Sequence, residues 1–195
     1  MPARPVSFSA APRQVRIIGG LWRGARLPVP DKPGLRPTPD RVRETLFNWL
    51  GQDLTGWRCI DAFAGAGALG LEAASRGAAQ VLLVERDPAL AAGLRETVGR
   101  LQAAAVHVRR GDGLAALREQ AAGSADLTLL DPPFDAPALF APALAAAAAA
   151  TRPGGWVYLE APARASEAQL QALGLLPHRY LKAGAVHAHL LRRMA

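Results

Sequence analysis

Hydrophobic and polar positions along the chain switch repeatedly between two periods. From residue 58 onward, short apolar runs at 58–62, 80–85, 105–109, 126–131 and 156–160 read as buried strands. Between them lie stretches at 67–76, 88–103, 113–121, 137–150 and 166–173 with helical spacing or strong helix formers. Asp87-Pro88 opens the second of these helices as cap and first residue. Arg152-Pro-Gly-Gly155 reads as a turn, and two further strand-like runs, 177–182 and 185–192, end the chain. Strands alternating with helices of this length predict an α/β fold, a Rossmann-like doubly wound and mostly parallel sheet.

Upstream the pattern differs. Residues 1–14 are rich in Pro, Ala, Ser and Arg and are expected to form a flexible basic arm. Residues 15–30 place apolar residues beside glycines, as in a β-hairpin. Thr38 is a predicted N-cap with Pro39 at the first helical position. Val42, Leu46, Phe47, Trp49 and Leu50 then form an apolar stripe that should pack on the main domain. Three parts follow: the arm at 1–14, a hairpin-and-helix extension at 15–57, and the α/β domain at 58–195.

Polar residues close successive strands: Asp61, Glu85, Asp112 and Asp131. In a doubly wound sheet they would line the carboxyl edge, where ligands bind. After Asp61 come Gly65, Gly67 and Gly70 at G-x-G-x-x-G spacing, then a helix. The glycines suit a tight turn, close ligand approach and close helix–strand packing in that order, and the helix start offers free N–H groups. Glu85 closes the next strand and can accept from ribose hydroxyls. A nucleoside-containing cofactor follows, with nicotinamide and S-adenosylmethionine both open. The discriminator is Asp131-Pro132-Pro133-Phe134 after the fourth strand. A hydride-transfer enzyme has no use for a carboxylate and two prolines there, whereas methylation of an exocyclic amine does. The cofactor is read as S-adenosylmethionine.

Composition narrows the class. The chain has 195 residues, half of them apolar, and a single cysteine. That size supports a substantial core and excludes an internal disulfide. Cys59 lies inside an apolar strand, and the four histidines lack metal-ligand spacing, so no metal site is expected. No run is long enough to span a membrane, and a cytoplasmic monomer is the expectation. The first 30 residues hold five arginines, two serines and no acid, a composition shared by transit peptides and bacterial basic arms. The second reading is adopted. Net charge is +7, and residues 1–57 carry nine Lys/Arg against four Asp/Glu, or five of those seven charges. Arg16, Arg23, Arg26, Arg36, Arg41 and Arg43 around Trp22 could pair phosphates and stack on unpaired bases. A merely solvated basic surface accounts for charge alone equally well.

These residues resemble the class I S-adenosylmethionine-dependent methyltransferases: the glycine loop, the acid after the second strand and the Asp-Pro-Pro-Phe after the fourth. Three segments, beginning Arg16-Ile-Ile-Gly-Gly-Leu-Trp, Gly34-Leu-Arg-Pro-Thr-Pro-Asp and Asp61-Ala-Phe-Ala-Gly-Ala-Gly, narrow the resemblance to the bacterial 16S rRNA (guanine(966)-N(2))-methyltransferase family. The similarity runs from about Val15 to Arg193, and the N-terminal part is the most specific. It implies a seven-stranded sheet with its last strand antiparallel, and the 16S rRNA of the 30S subunit or its assembly intermediate as partner. By the same resemblance Asp131, Pro132 and Phe134 hold the acceptor base. Asp61, Phe63, Gly65 and Gly67 hold the methionine end, Glu85 the ribose, and Asp112 with Gly113 the adenine. Asp112 is placed equally well to cap the helix at 113, and Phe134 to be core. Three other functions compete: a DNA adenine-N6 or cytosine-N4 methyltransferase, a nicotinamide oxidoreductase, and a non-catalytic RNA-binding assembly factor.

Overall fold

A computed structural model describes residues 13–32 and 38–195. Most of the arm at 1–14, and Arg36, lie outside the described residues. β1 (Arg13–Arg16) and β2 (Arg26–Val29) form an antiparallel hairpin, followed by α1 (Asp40–Leu50). Then come β3 (Arg58–Asp61), α2 (Ala68–Ser75), β4 (Gln80–Glu85), α3 (Pro88–Arg100), β5 (Val106–Arg110) and α4 (Gly113–Arg118). The chain continues through β6 (Ala125–Leu130), a 3₁₀ turn at Pro137–Leu139, α5 (Phe140–Ala150), β7 (Thr151–Ala161), α6 (Glu167–Ala172), β8 (Leu175–Ala183) and β9 (Val186–Arg193). Seven strands make one sheet in the order β5-β4-β3-β6-β7-β9-β8. Only β9 runs against its neighbours. The predicted fold is therefore present, including its antiparallel last strand.

The chain enters the sheet at β3, moves outward through β4 and β5, and returns to β6 on the other side of β3. The crevice outside β3 and β6 is the topological switch point, where doubly wound folds bind ligands. α1, α2 and α3 pack on one face of the sheet, around Leu46, Phe47, Leu71, Leu83, Leu129 and Tyr158. α5 and α6 pack on the other, where the small alanines of α5 approach Leu130, Val157 and Leu159 closely. All eight residues of α2 are buried, as expected of a helix apolar nearly all round. Its outer side is roofed by the N-terminal hairpin, with Leu21 N–H donating to Ser75 O at 2.7 Å.

Two local expectations change. Thr38 is not the cap of α1: the helix starts at Asp40 after Pro39, no side chain caps it, and the Thr38 hydroxyl points to Glu160 instead. Residues Arg152–Gly155, read as a turn, are drawn into β7. Thr151 pairs with Ala125 there, with a register irregularity before Leu127. The apolar stripe of α1 packs as expected through Val42, Leu46, Phe47 and Leu50.

Candidate active site

The glycine loop owes its shape to backbone that only glycine adopts easily. Gly65 and Gly67 have φ of 53° and 81°. Gly67 caps α2 in the left-handed conformation, and a Cβ there would meet Leu94 and Leu71 at 2.7 and 2.9 Å. Its requirement is therefore conformation and packing, not only room for a ligand. At Gly70 a Cβ would lie 2.2 Å from Leu83 Cδ2, which confirms close helix–strand contact. Beside the loop runs a narrow apolar crevice lined by Pro28, Pro30, Gly65, Ala66, Leu90 and Leu94.

Asp61 ends β3 under this loop, almost fully buried. Its Oδ2 accepts the Gly70 N–H at 2.9 Å, while Oδ1 is buried with no hydrogen-bond partner among the described residues. Burial pushes its carboxyl up to about 7, against the opposing pull of the Gly70 and Phe63 N–H groups. A buried acceptor without a donor is what a bound ligand's ammonium group would satisfy. Glu85 takes the Gly65 N–H at 2.9 Å on Oε2 and the Asp87 N–H at 2.7 Å on Oε1. It thus shapes the loop, and each oxygen keeps a lone pair for a hydroxyl. These features fit a nucleoside cofactor with a cationic tail.

Asp112 caps α4, accepting the Ala115 N–H at 2.8 Å on Oδ1, so the capping role is present. Gly113 is needed because a Cβ would sit 2.0 Å from the Ala62 carbonyl oxygen. It anchors α4 against the end of β3, next to the half-buried Phe63.

Past β6, Asp131 is half-buried and Pro132 buried. Phe134 is 36 % exposed, its ring tilted against Phe140 at 6.2 Å, so it is not a core residue. Burial, reinforced by the negative charge of Glu160 and Asp61, holds the Asp131 carboxyl well above the ordinary range. Glu160 was not singled out from sequence. It is buried at the end of β7, and its Oε1 accepts hydroxyl protons from Thr38 at 2.7 Å and Tyr158 at 2.8 Å. The residues that meet at the carboxyl edge are thus Asp61, Asp131 and Glu160, with Glu85 bordering the loop.

The N-terminal extension carries Arg16, Arg23, Arg26 and Arg41 at the surface, with Trp22 half-buried against the core. Arg23 borders a polar groove with Glu44, Asn48, Gln52 and Arg76. Arg43 is a correction. Its side chain is fully buried and contacts Asp40, Glu72, the Arg16 carbonyl and the Thr38 carbonyl. It holds the extension to the domain and faces no external anion. Its buried partner Glu72, also unforeseen, accepts the Ile18 and Gly19 N–H groups at 2.8 Å and pairs with Arg76. One signal was available: an acid inside the otherwise apolar α2 needs a buried cation.

Cys59 is buried, and burial drives its thiol far up, which leaves no nucleophile there. His189 is held by the Ala165 N–H at 3.1 Å and lies 3.3 Å from the Leu159 carbonyl, a structural arrangement. Among the described residues no group of acids, histidines and cysteines is placed to hold a metal, and no helix is long and apolar enough to cross a membrane.

The family model described as Conserved hypothetical protein 95 matches residues 15–192. The protein named Ribosomal RNA small subunit methyltransferase D of Escherichia coli K12 is 50% identical over 121 residues, covering 62% of this chain and 61% of that protein. Its namesake from Haemophilus influenzae is 45% identical over 124 residues, covering 62% and 64%. The aligned stretch thus spans about three-fifths of these relatives' length. The solved structure of the Escherichia coli yhhF protein superposes with a TM-score of 0.80 at 36% identity, covering 94% of this chain and 99% of that one. A precorrin-6y C5,15-methyltransferase from Geobacter metallireducens shares the fold alone, at 14% identity, with a TM-score of 0.65 and coverage of 84% and 92%. With a match reaching from the hairpin to β9, the chain belongs to the Conserved hypothetical protein 95 family, an rRNA methyltransferase family by the names of its relatives.

Proposed function

We propose that the chain methylates the exocyclic N2 amine of a guanine in 16S rRNA of the small ribosomal subunit, guanine 966 by resemblance, using S-adenosylmethionine. The observation that carries this reading is the Asp131-Pro132-Pro133-Phe134 corner, with its carboxylate beside Asp61 and an exposed aromatic ring at the switch point. The names of the relatives carry the rRNA. Bound S-adenosylmethionine would supply an electrophilic methyl group. Asp61 Oδ1 and the 63–67 loop would hold its methionine end and Glu85 its ribose. Asp112, with one carboxylate oxygen in the cap, keeps the other for the adenine amino group.

On the acceptor side, the Asp131 carboxylate and the Pro132 carbonyl each accept one amine N–H. That leaves the nitrogen lone pair facing the methyl. Proline stiffens the edge and brings no competing donor. Phe134 stacks on the extruded base. Such positioning supplies at best roughly 7–11 kcal/mol of the barrier. The exposed arginines of the hairpin and of α1 would grip the flanking RNA backbone.

The test combines the purified chain, S-adenosylmethionine and 30S particles from a strain lacking the enzyme, with mass-spectrometric mapping of modified nucleosides. One N2-methylguanine in 16S rRNA is the expected product. Modification of genomic DNA instead, or no modification of any substrate, would overturn the reading. Asp131→Ala should abolish transfer and leave calorimetric cofactor affinity within a few-fold. A parallel loss of affinity would move Asp131 into the cofactor site.

A further inference from the structure

We infer that Glu160 is a positioning residue for methyl transfer: its carboxylate, clamped by Thr38 and Tyr158, stands beside Asp131 and strengthens it as acceptor of the amine hydrogen. The inference rests on the proposed function and adds a group to that site.

Strand register places the two carboxyls together. In the parallel β6–β7 pair Leu129 faces Tyr158 and Leu130 faces Leu159. One step further the chain brings Asp131 beside Glu160. Alternation along a strand puts Asp131 on the same face as Leu129, and Glu160 on the same face as Tyr158. Asp61 lies opposite Leu129 on the other side of β6. The common face is the one on which α1 and α2 pack. Three acids therefore share one corner, Asp61 and Glu160 buried and Asp131 half-buried, and none of them enters an ion pair among the described residues.

A buried carboxylate without a cation is expensive, and an apolar residue at Glu160 would pack at less cost. Burial pushes the Glu160 carboxyl up, and two hydroxyl donors, Thr38 and Tyr158, pull it back toward the ionised form. In that ionised form its negative charge falls on Asp131 and raises the affinity of Asp131 for a proton. The nitrogen that gains the methyl carries one surplus proton. Asp131 takes that proton as its N–H bond breaks, becomes the neutral acid, and releases it to water.

Thr38 also ties this corner to the extension. Its carbonyl accepts from Arg43 Nε at 3.3 Å, and Arg43 holds the Arg16 carbonyl and Glu72. Among the described residues the titratable groups that feel the Glu160 charge are Asp61, Asp131 and Tyr158 on the strands. Its neighbour Ala188 on β9 carries no charge, nor do Leu181 and Ala183 of β8.

The test is Glu160→Gln, which keeps an oxygen for Thr38 and Tyr158 and removes the charge. Single-turnover methyl transfer to 30S particles is followed from pH 5 to 9, with S-adenosylmethionine affinity measured by calorimetry. We expect a plateau rate lower by about tenfold and an acid limb displaced to lower pH by about one unit, as removal of a neighbouring like charge requires. Cofactor affinity should stay within about twofold. Glu160→Asp and Thr38→Ser should keep the limb near its wild-type position. An unshifted limb with a wild-type rate in Glu160→Gln would make Glu160 a core residue only. Should that variant not fold, Thr38→Val, which leaves the carboxyl in place, carries the test: an unchanged rate overturns the inference. Absence of transfer by the wild-type protein would instead sink the proposed function, so the two failures are distinct.

Discussion

Asp61 has two unlike oxygens, one satisfied by Gly70 and one buried without a donor. Its carboxyl is raised to about 7 because burial disfavours the charge. The folded chain therefore keeps a proton that the unfolded chain loses near pH 4. The stability tied to this group is complete below that point and declines as pH rises to about 7. Urea unfolding at several pH values should show that decline, and Asp61→Asn should flatten it. The same group predicts that S-adenosylmethionine affinity rises as pH climbs through about 7, because the ammonium partner needs the ionised form. Calorimetry that finds a pH-independent affinity in the wild type would remove Asp61 from the cofactor site. The acid at position 61 is legible in the sequence, since it ends an apolar strand before a glycine loop. Its orphaned oxygen is not, because which donor reaches which oxygen depends on how α2 sits over β3.

At the scale of elements, α2 is where the hairpin, α1 and the sheet meet. Glu72 receives two backbone N–H groups from the hairpin and the guanidinium groups of Arg43 and Arg76. Glu72→Ala would strand two buried cations and two donors, and breaking such a buried pair costs about 3–5 kcal/mol. At roughly 2–4 °C per kcal/mol for a domain of this size, melting should fall by about 6–20 °C. Hydrogen exchange should rise first in residues 15–29. A drop of less than 2 °C would show that the network is dispensable. The hairpin and α1 were readable from local pattern, and the burial of α1's stripe followed from its spacing. The burial of Arg43 did not follow, because one turn of sequence cannot show that Glu72 lies across from it.

For the whole molecule, charge is gathered toward one end, with five of seven net positive charges in residues 1–57. Arg16, Arg23, Arg26 and Arg41 are exposed there, whereas Arg43 is spent inside. If the exposed set pairs phosphates, the logarithm of RNA affinity falls with the logarithm of salt by roughly 0.7–0.9 per contact. Replacing Arg23 and Arg26 with alanine should shallow that slope by about one to two units. Cofactor affinity and melting temperature should hardly move, since exposed charges contribute little to stability. An unchanged slope would mean that these arginines only solvate the hairpin.

What the amino-acid order determined by itself is local or periodic. Strands and helices alternate because apolar spacing switches period, and the left-handed turns at Gly65 and Gly67 need residues without a Cβ. Acids at strand ends fall on one edge because parallel strands all end there. The tertiary structure alone decided the buried polar pairings. Thr38 finds Glu160 across 122 positions, and Arg43 finds Glu72 across 29. A buried charge is tolerated only where a partner arrives from elsewhere in the chain, and that partner is fixed by packing, which leaves no local mark in the sequence.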